Sequence, residues 1–514
     1  MTTTNETTVD SDVRLEQLGY KSEFKREMGL LANIGLSLTA IGVLTGMSSA
    51  FGAGLFAGGP LGLFWGWNIV SIFMFLIALS QAEICSAFPT MGGLYFWTCK
   101  LVPEEYVPFW GYVTGNLYVW GMVFTGTAGN MATALFIASL YMLVNPDAGP
   151  LKNGTIVGIC ICVNIVNGTL NHIGMRAIGT ISKINVWFTL VGTVVLVATL
   201  FAASPVKNPA SFAFFDFENY TGSDNSGFVF MLGFLQAVYA LEGSETSAQV
   251  SEEAQKAETN GPIAIYSSII GSWFVGVIYL IALLFNVQSI PNIAGTSFPV
   301  QIVQLFYDAC GQKLAILCVC ILLFAQWAAA LTAFTASSRL FFALARDNAF
   351  PFKEFFMTLS KGGRVPYRGV WFSVVIASLV HCTYLANAMY FNSIISCAAT
   401  GVLLSYSMPM ICRVIWPGIL NDSNRGPFSL GKYSYTVNLA GAAFCVVMTV
   451  FFVMPTSFPV TSMNMNYAIA GIGLVLTLVI ISFFVWGKGR FVGPVRTVDI
   501  SVDDLVDLDK KAIA

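Results

Sequence analysis

Two carboxylates and a glycine, Glu242-Gly243-Ser244-Glu245, sit inside an apolar run of membrane-crossing length, Phe228–Val250. A charged side chain at the centre of a membrane helix costs about 2.5–3.5 kcal/mol on insertion scales, so such groups persist where they face protein, a partner or water. Glycine weakens the helix there, and opened backbone at that depth is tolerated where it lines a cavity. These residue types predict the binding of a cation or a proton. A carboxylate holds an amine, and two carboxyls three residues apart on a persisting helix disfavour double ionisation. Glu242 and Glu245 are the candidate proton-coupling pair, and with Gly243 and Ser244 they form one half of a candidate solute site.

The other half requires a second interrupted crossing. The first apolar segment carries Gly46, Met47, Ser48, Ser49 and Ala50 where a simple anchor would use leucine and valine. Small residues alone suit close helix packing. Paired with an interruption five crossings later, they match an inverted-repeat transporter that binds its solute near the midplane. Freed amides and carbonyls would then face the solute, and half-helix N-termini would favour an anionic group. Aromatic faces attract organic cations. Trp120 and Phe124, four apart on one helix face, and Trp327, before a run of alanines, are therefore further site candidates. Aromatic residues make up 14% of the chain, so most must simply face lipid or neighbouring helices. Glu83, Glu253, Arg339, Arg346 and Asp347 fall at one end of the crossings and are candidates for a gate.

The chain that must position these groups is apolar throughout. Of its 514 residues 56% are hydrophobic and 10% charged, and its mean hydropathy is +0.72, whereas soluble domains carry about 25% charged residues. Apolar runs predict an all-α membrane protein with crossings at 31–57, 61–86, 108–143, 155–172, 180–203, 227–251, 262–286, 313–342, 368–386, 392–416, 436–454 and 466–487. Residues 1–29 and 488–514 read as polar tails around one transporter domain, 30–487, with no stretch left for a separate soluble domain. With an even number of crossings, placing the N-terminus inside leaves only Lys152, Lys207 and Lys313 on outer loops, and 22 of the 25 basic residues, among them Lys353, Lys361, Arg364 and Arg368, inside. Both tails are expected to be cytoplasmic, in the plasma membrane or, alternatively, a vacuolar or other internal one.

Other classes fit poorly. The N-terminal segment holds Asp10, Asp12, Glu16 and Glu23 before any apolar core, unlike a cleaved signal peptide. A net charge of −2 argues against a nucleic-acid partner. Eleven scattered cysteines and two histidines, His172 and His381, form no metal spacing and no nucleophile–base pair, and no cofactor is implied. There is no Gly-rich ATP motif and no repeated filter or charged ring of a channel. Asn-x-Ser/Thr sequons occur at Asn5, Asn153, Asn167, Asn219 and Asn421, of which the topology leaves Asn153 and Asn219 outside. The oligomeric state is open.

Two segments carry a family resemblance: AEICSAFPTMGGLYFW (Ala82–Trp97) and SSRLFFALARDNAFP (Ser337–Pro351) resemble signatures of the amino acid–polyamine–organocation transporters. GSETSAQVSEE (Gly243–Glu253), followed by GPIAI, and RGPFSLGKYSY (Arg425–Tyr435) are similar to fungal amino acid/choline permeases, which include γ-aminobutyrate carriers. The similarity spans roughly residues 20–490. It implies a five-plus-five inverted repeat, about 30–203 and 227–416, with two added helices at about 436–487, and a solute held between broken helices 1 and 6 with walls from helices 3, 8 and 10. By motif, Gly46–Ala50 match the first break and Glu242–Glu245 the second. Glu245 falls where relatives often have aspartate, and Ser244 replaces an aromatic or leucine. Thr189 stands about where some bacterial relatives carry a lysine midway through helix 5. The expected activity is import of an amino acid or γ-aminobutyrate-like amine with protons; a choline or polyamine permease is the alternative, and a nutrient receptor or channel a remote one.

Overall fold

A computed structural model describes residues 11, 15–16, 18, 26, 28–360, 365–387, 389–421 and 424–495. Asn5, Asp10, Asp12, Glu23, Lys361, Arg364 and most of both tails lie outside the described residues.

Twelve apolar helices long enough to cross a membrane fill the described chain: α1 Leu30–Ser49, α2 Gly59–Ala87, α3 Val107–Val144, α4 Asn153–Ile173, α5 Ala177–Ala203, α6 Ser226–Val250, α7 Ala257–Asn286, α8 Gln301–Arg346, α9 Tyr367–Leu385, α10 Tyr390–Ile415, α11 Gly431–Val453 and α12 Ala468–Gly487. Helices dominate because only internal bonding satisfies backbone groups in hydrocarbon. The described residues form no strand, only two isolated bridges. The expected start of the eighth crossing at 313 corresponds to a turn inside α8, where Gly311 has φ 71°; the residues before it form a helical lead-in.

Both α1 and α6 are interrupted. The first helical piece of α1, Leu30–Ile41, ends at Gly42 (φ 58°), whose N–H donates to Leu38 O. Helix resumes over Val43–Ser49, halts at Ala50, and continues as Phe51–Phe56. The sharp break thus lies four residues before the predicted Gly46–Ala50 segment. In α6 the helix Ser226–Leu241 stops at Glu242, which is extended, and Gly243 takes φ 108°. A tighter 3₁₀ stretch, Ser244–Val250, completes the crossing.

The two interruptions lie side by side. A Cβ on Gly243 would sit 3.1 Å from the Ala40 carbonyl carbon, and one on Gly46 only 2.7 Å from Ala240 Cα. Glycine therefore lets the two backbones touch, the role small residues play between membrane helices. Around them, α3, α4 and α9 are tied by buried amides. Asn130 donates to Asn164 (2.7 Å), Asn167 to Asn130 (2.7 Å) and Asn164 to Ser378 (2.9 Å); His381 Nε2 bonds Thr127 O at 3.0 Å. Asn167, a sequon residue, is thus buried between helices, its amide nitrogen spent on Asn130.

At the face where α1 begins, the segment before α1 is stitched to the end of α6. Met28 N–H donates to Glu253 O (3.0 Å), Gln255 N–H to Met28 O (2.9 Å), and Arg26 to the carbonyls of Ser251 and Ala254. At the opposite face the α5–α6 connection packs over the end of α1, with Tyr220 N–H donating to Phe56 O and Gly58 N–H to Glu218 O.

Candidate functional site

A cavity of about 50 Å³ lies between the two breaks. Its walls come from α1 (Ile41, Thr45, Gly46), α3 (Met122, Thr125, Gly129), α6 (Tyr239, Glu242, Gly243, Thr246), α8 (Gln326, Ala329, Ala330) and α10 (Val402). Alanines dominate on α8 and meet Gly129 of α3, so the helices approach closely and leave room for a few water molecules only.

The polar atoms of this wall divide sharply. Thr45, Thr246 and Thr332 each turn the hydroxyl to their own helix backbone, donating to Gly42 O (2.8 Å), Gly243 O (2.7 Å) and Ala329 O (2.7 Å). Gln326 donates its amide to Gly129 O at 3.3 Å, which directs Oε1 the other way. That oxygen and both carboxyl oxygens of Glu242 have no partner, although the two side chains are 3% and 5% exposed. Three buried acceptors thus line one small space, and among its described lining residues none is basic. A buried acceptor without a donor costs free energy, so the site is built to receive hydrogen-bond donors or positive charge.

Glu245, three residues on, is fully engaged. Its Oε1 accepts from Tyr118 on α3 (2.6 Å) and its Oε2 from Tyr406 on α10. Tyr118 in turn accepts from Gln249 Nε2 (2.5 Å), and Tyr406 from the Gly243 N–H (3.1 Å). A persisting helix would put Glu242 and Glu245 on one face, but the left-handed Gly243 turns the chain between them.

The remaining candidates scatter. Gly46 and Gly243 line the cavity, whereas Met47, Ser48, Ser49, Ala50 and Ser244 are buried behind its wall. Ser48 donates to Leu44 O (2.6 Å) and meets the Tyr279 hydroxyl at 2.8 Å; Ser244 O accepts from Ser37 (3.1 Å). Trp120 and Phe124 face another space, a cavity of about 700 Å³ between α3, α9, α10 and α12. Trp327 lines a third, of about 740 Å³, among α3, α4 and α8. Of the gate candidates, Glu253 and Arg339 meet at 3.2 Å. Asp347 lies 3.5 Å from Arg346 and accepts from Tyr95 (2.9 Å) and Val495 N–H (3.2 Å). Glu83 joins none of these. It accepts from Ser434 (2.5 Å) and Leu430 N–H (2.9 Å), with Arg413 at 3.9 Å, fixing α2 to α10 and the start of α11.

Sequence reasoning missed Tyr118, Tyr406, Gln249 and Gln326. Only Gln326 carried a signal, as an amide inside an otherwise apolar crossing.

Comparison with known proteins decides the family. Residues 29–476 match the amino acid permease family. The chain belongs to that family. The permease is 30% identical over 500 residues to the amino-acid permease BAT1 homolog of Oryza sativa subsp. japonica, covering 95% of this chain and 96% of that one. It is 28% identical over 447 residues to the choline transporter of Saccharomyces cerevisiae, covering 86% and 78% of the two chains. With the GABA-specific permease of the same yeast it shares 27% identity over 519 residues, covering 97% and 88%. The permease is thus a multi-pass membrane transporter of the amino acid–polyamine–organocation kind, and its relatives are named as carriers rather than enzymes.

Proposed function

We propose that the permease imports a small amine-bearing solute, an amino acid or a γ-aminobutyrate-like compound, by alternating access driven by protons. The observation that carries this reading is the buried, unpartnered carboxylate of Glu242 in the cavity between the breaks of α1 and α6. An ammonium group supplies the donors it lacks, and a proton serves when the site is empty. The cavity is too small to admit such a solute as it stands, so entry requires the helices to part. The family names point the same way, since its members include carriers named for amino acids, choline and GABA.

On this reading both tails face the cytoplasm of a plasma-membrane carrier, as the 22-to-3 division of basic residues favours. The domain organisation is the two five-helix repeats, about 30–203 and 227–416, followed by α11 and α12. Met47–Ala50 and Ser244 support the breaks from behind. Glu253–Arg339 and Arg346–Asp347 serve the inner gate, where ion pairs can part and re-form as helices move, and Glu83 anchors α2 beside it. Trp120, Phe124 and Trp327 would reach the solute only if that movement opened their cavities to it.

The test is uptake by the purified permease in lipid vesicles. Labelled γ-aminobutyrate, amino acids and putrescine are offered under an imposed pH gradient or sodium gradient. The pH gradient should drive accumulation, and Glu242→Gln should cut uptake about tenfold or more, since one partner of a charged pair is removed. Sodium-driven uptake, or normal kinetics in the variant, would reject the reading.

A further inference from the structure

The cavity's polar atoms also say what kind of amine fits. Glu242 offers two acceptor oxygens and Gln326 a third, and all three lack partners. The orientation of the Gln326 amide follows from its bond to Gly129 O, which spends an N–H and leaves Oε1 free. The threonine hydroxyls of the wall spend their hydrogens on their own helices. Against three acceptors the wall leaves one uncommitted hydroxyl, that of Tyr239, so the space is short of at least two donors.

A quaternary ammonium group carries charge but no N–H. It can sit against Glu242 by Coulomb attraction, yet it leaves the Gln326 oxygen buried and unsatisfied. Proteins that hold quaternary ammonium surround it with aromatic faces. Here Tyr239 is the only aromatic residue among the described cavity lining. Trp120, Phe124 and Trp327 line other cavities. A primary ammonium group brings three N–H donors to three waiting acceptors.

We infer that Gln326 is a specificity-determining residue, which together with Glu242 selects solutes bearing a protonated primary or secondary amine over their quaternary counterparts. This inference rests on the proposed solute site, and it deepens it by naming the amine class. A site that recognises donors rejects the analogue lacking them more strongly than an apolar pocket rejects a change of size.

The experiment compares matched pairs that differ only at nitrogen. Binding of γ-aminobutyrate and its N-trimethyl analogue, of glycine and glycine betaine, and of ethanolamine and choline is measured on the purified full-length permease. At least one pair should show the primary amine bound about tenfold or more tightly than its trimethyl partner. Gln326→Leu, similar in volume but without the acceptor, should bring that ratio to within about twofold by weakening the amine alone. Gln326→Glu, which keeps an acceptor, should preserve the preference and guards against a merely structural loss in the leucine variant. Trimethyl members bound as tightly as their amines in every pair that binds, or an unchanged ratio in Gln326→Leu, overturn the inference and leave the amine carrier standing. Binding of neither member of any pair overturns both.

Discussion

Glu242 and Glu245 stand three residues apart in one polar motif, yet their surroundings give them opposite tasks. Glu245 is held by two tyrosine hydroxyls, each of which accepts a second hydrogen bond from α6. That closed circuit ties α3, α6 and α10 together, and its four side chains are at most 3% exposed. Hydrogen bonds to a charged group contribute about 1.5–3 kcal/mol each. Tyr118→Phe should therefore lower the stability of the purified permease by about that amount, measured as thermal unfolding in detergent. Solute affinity should change less than in Glu242→Gln; an unaltered melting temperature would show the bond to be idle. The sequence marks both acids as costly and so as purposeful, but it does not separate them. The difference comes from one backbone angle at Gly243 and from two tyrosines more than a hundred residues away. Trp120, Phe124 and Trp327 line other cavities than the one between the breaks, which the sequence does not show for a related reason. In a crossing that is apolar all round, composition does not tell which face meets a cavity and which meets its neighbours.

At the scale of the helices, the interruption of the sixth crossing was legible because glycine and two acids break an apolar run together. The first crossing was harder to read. Its conspicuous glycines, at 46, 52 and 54, serve close approach to Ala240, Gln301 and Leu63. The left-handed turn falls instead on Gly42, a single glycine in an ordinary apolar context. Packing glycines and turning glycines look alike in sequence. Only the conformation separates them. Gly243 has both demands, a φ of 108° and a carbonyl carbon 3.1 Å from where its Cβ would be. Gly243→Ala should destabilise by about 1–3 kcal/mol through strained backbone and should abolish uptake, because it moves Glu242. Wild-type transport in that variant, measured in vesicles, would mean that the break is not shaped by glycine.

Across the whole molecule, the twelve crossings were readable from hydropathy because each backbone must satisfy itself within the bilayer. How they associate was not, since lipid is as apolar as their side chains and the contacts rest on buried amides such as Asn130, Asn164 and Asn167. The assembled protein carries two kinds of polar joint at the face where α1 begins. Glu83 is buried, bonded to α11 and near Arg413, and suits a fixed attachment. Glu253–Arg339 is partly exposed, at 21% and 15%, and an ion pair so placed contributes roughly 0–1 kcal/mol, weak enough to open in a cycle. Between these joints and the opposite cap lies the cavity on which the account depends. The most direct measurement is a cryo-electron microscopy structure of the permease with bound γ-aminobutyrate. The solute's nitrogen should lie about 3 Å from a carboxyl oxygen of Glu242, between Gly42 and Gly243, with Glu245 still bonded to its two tyrosines. Solute density beside Trp120 and Phe124, or on Glu245, would contradict it.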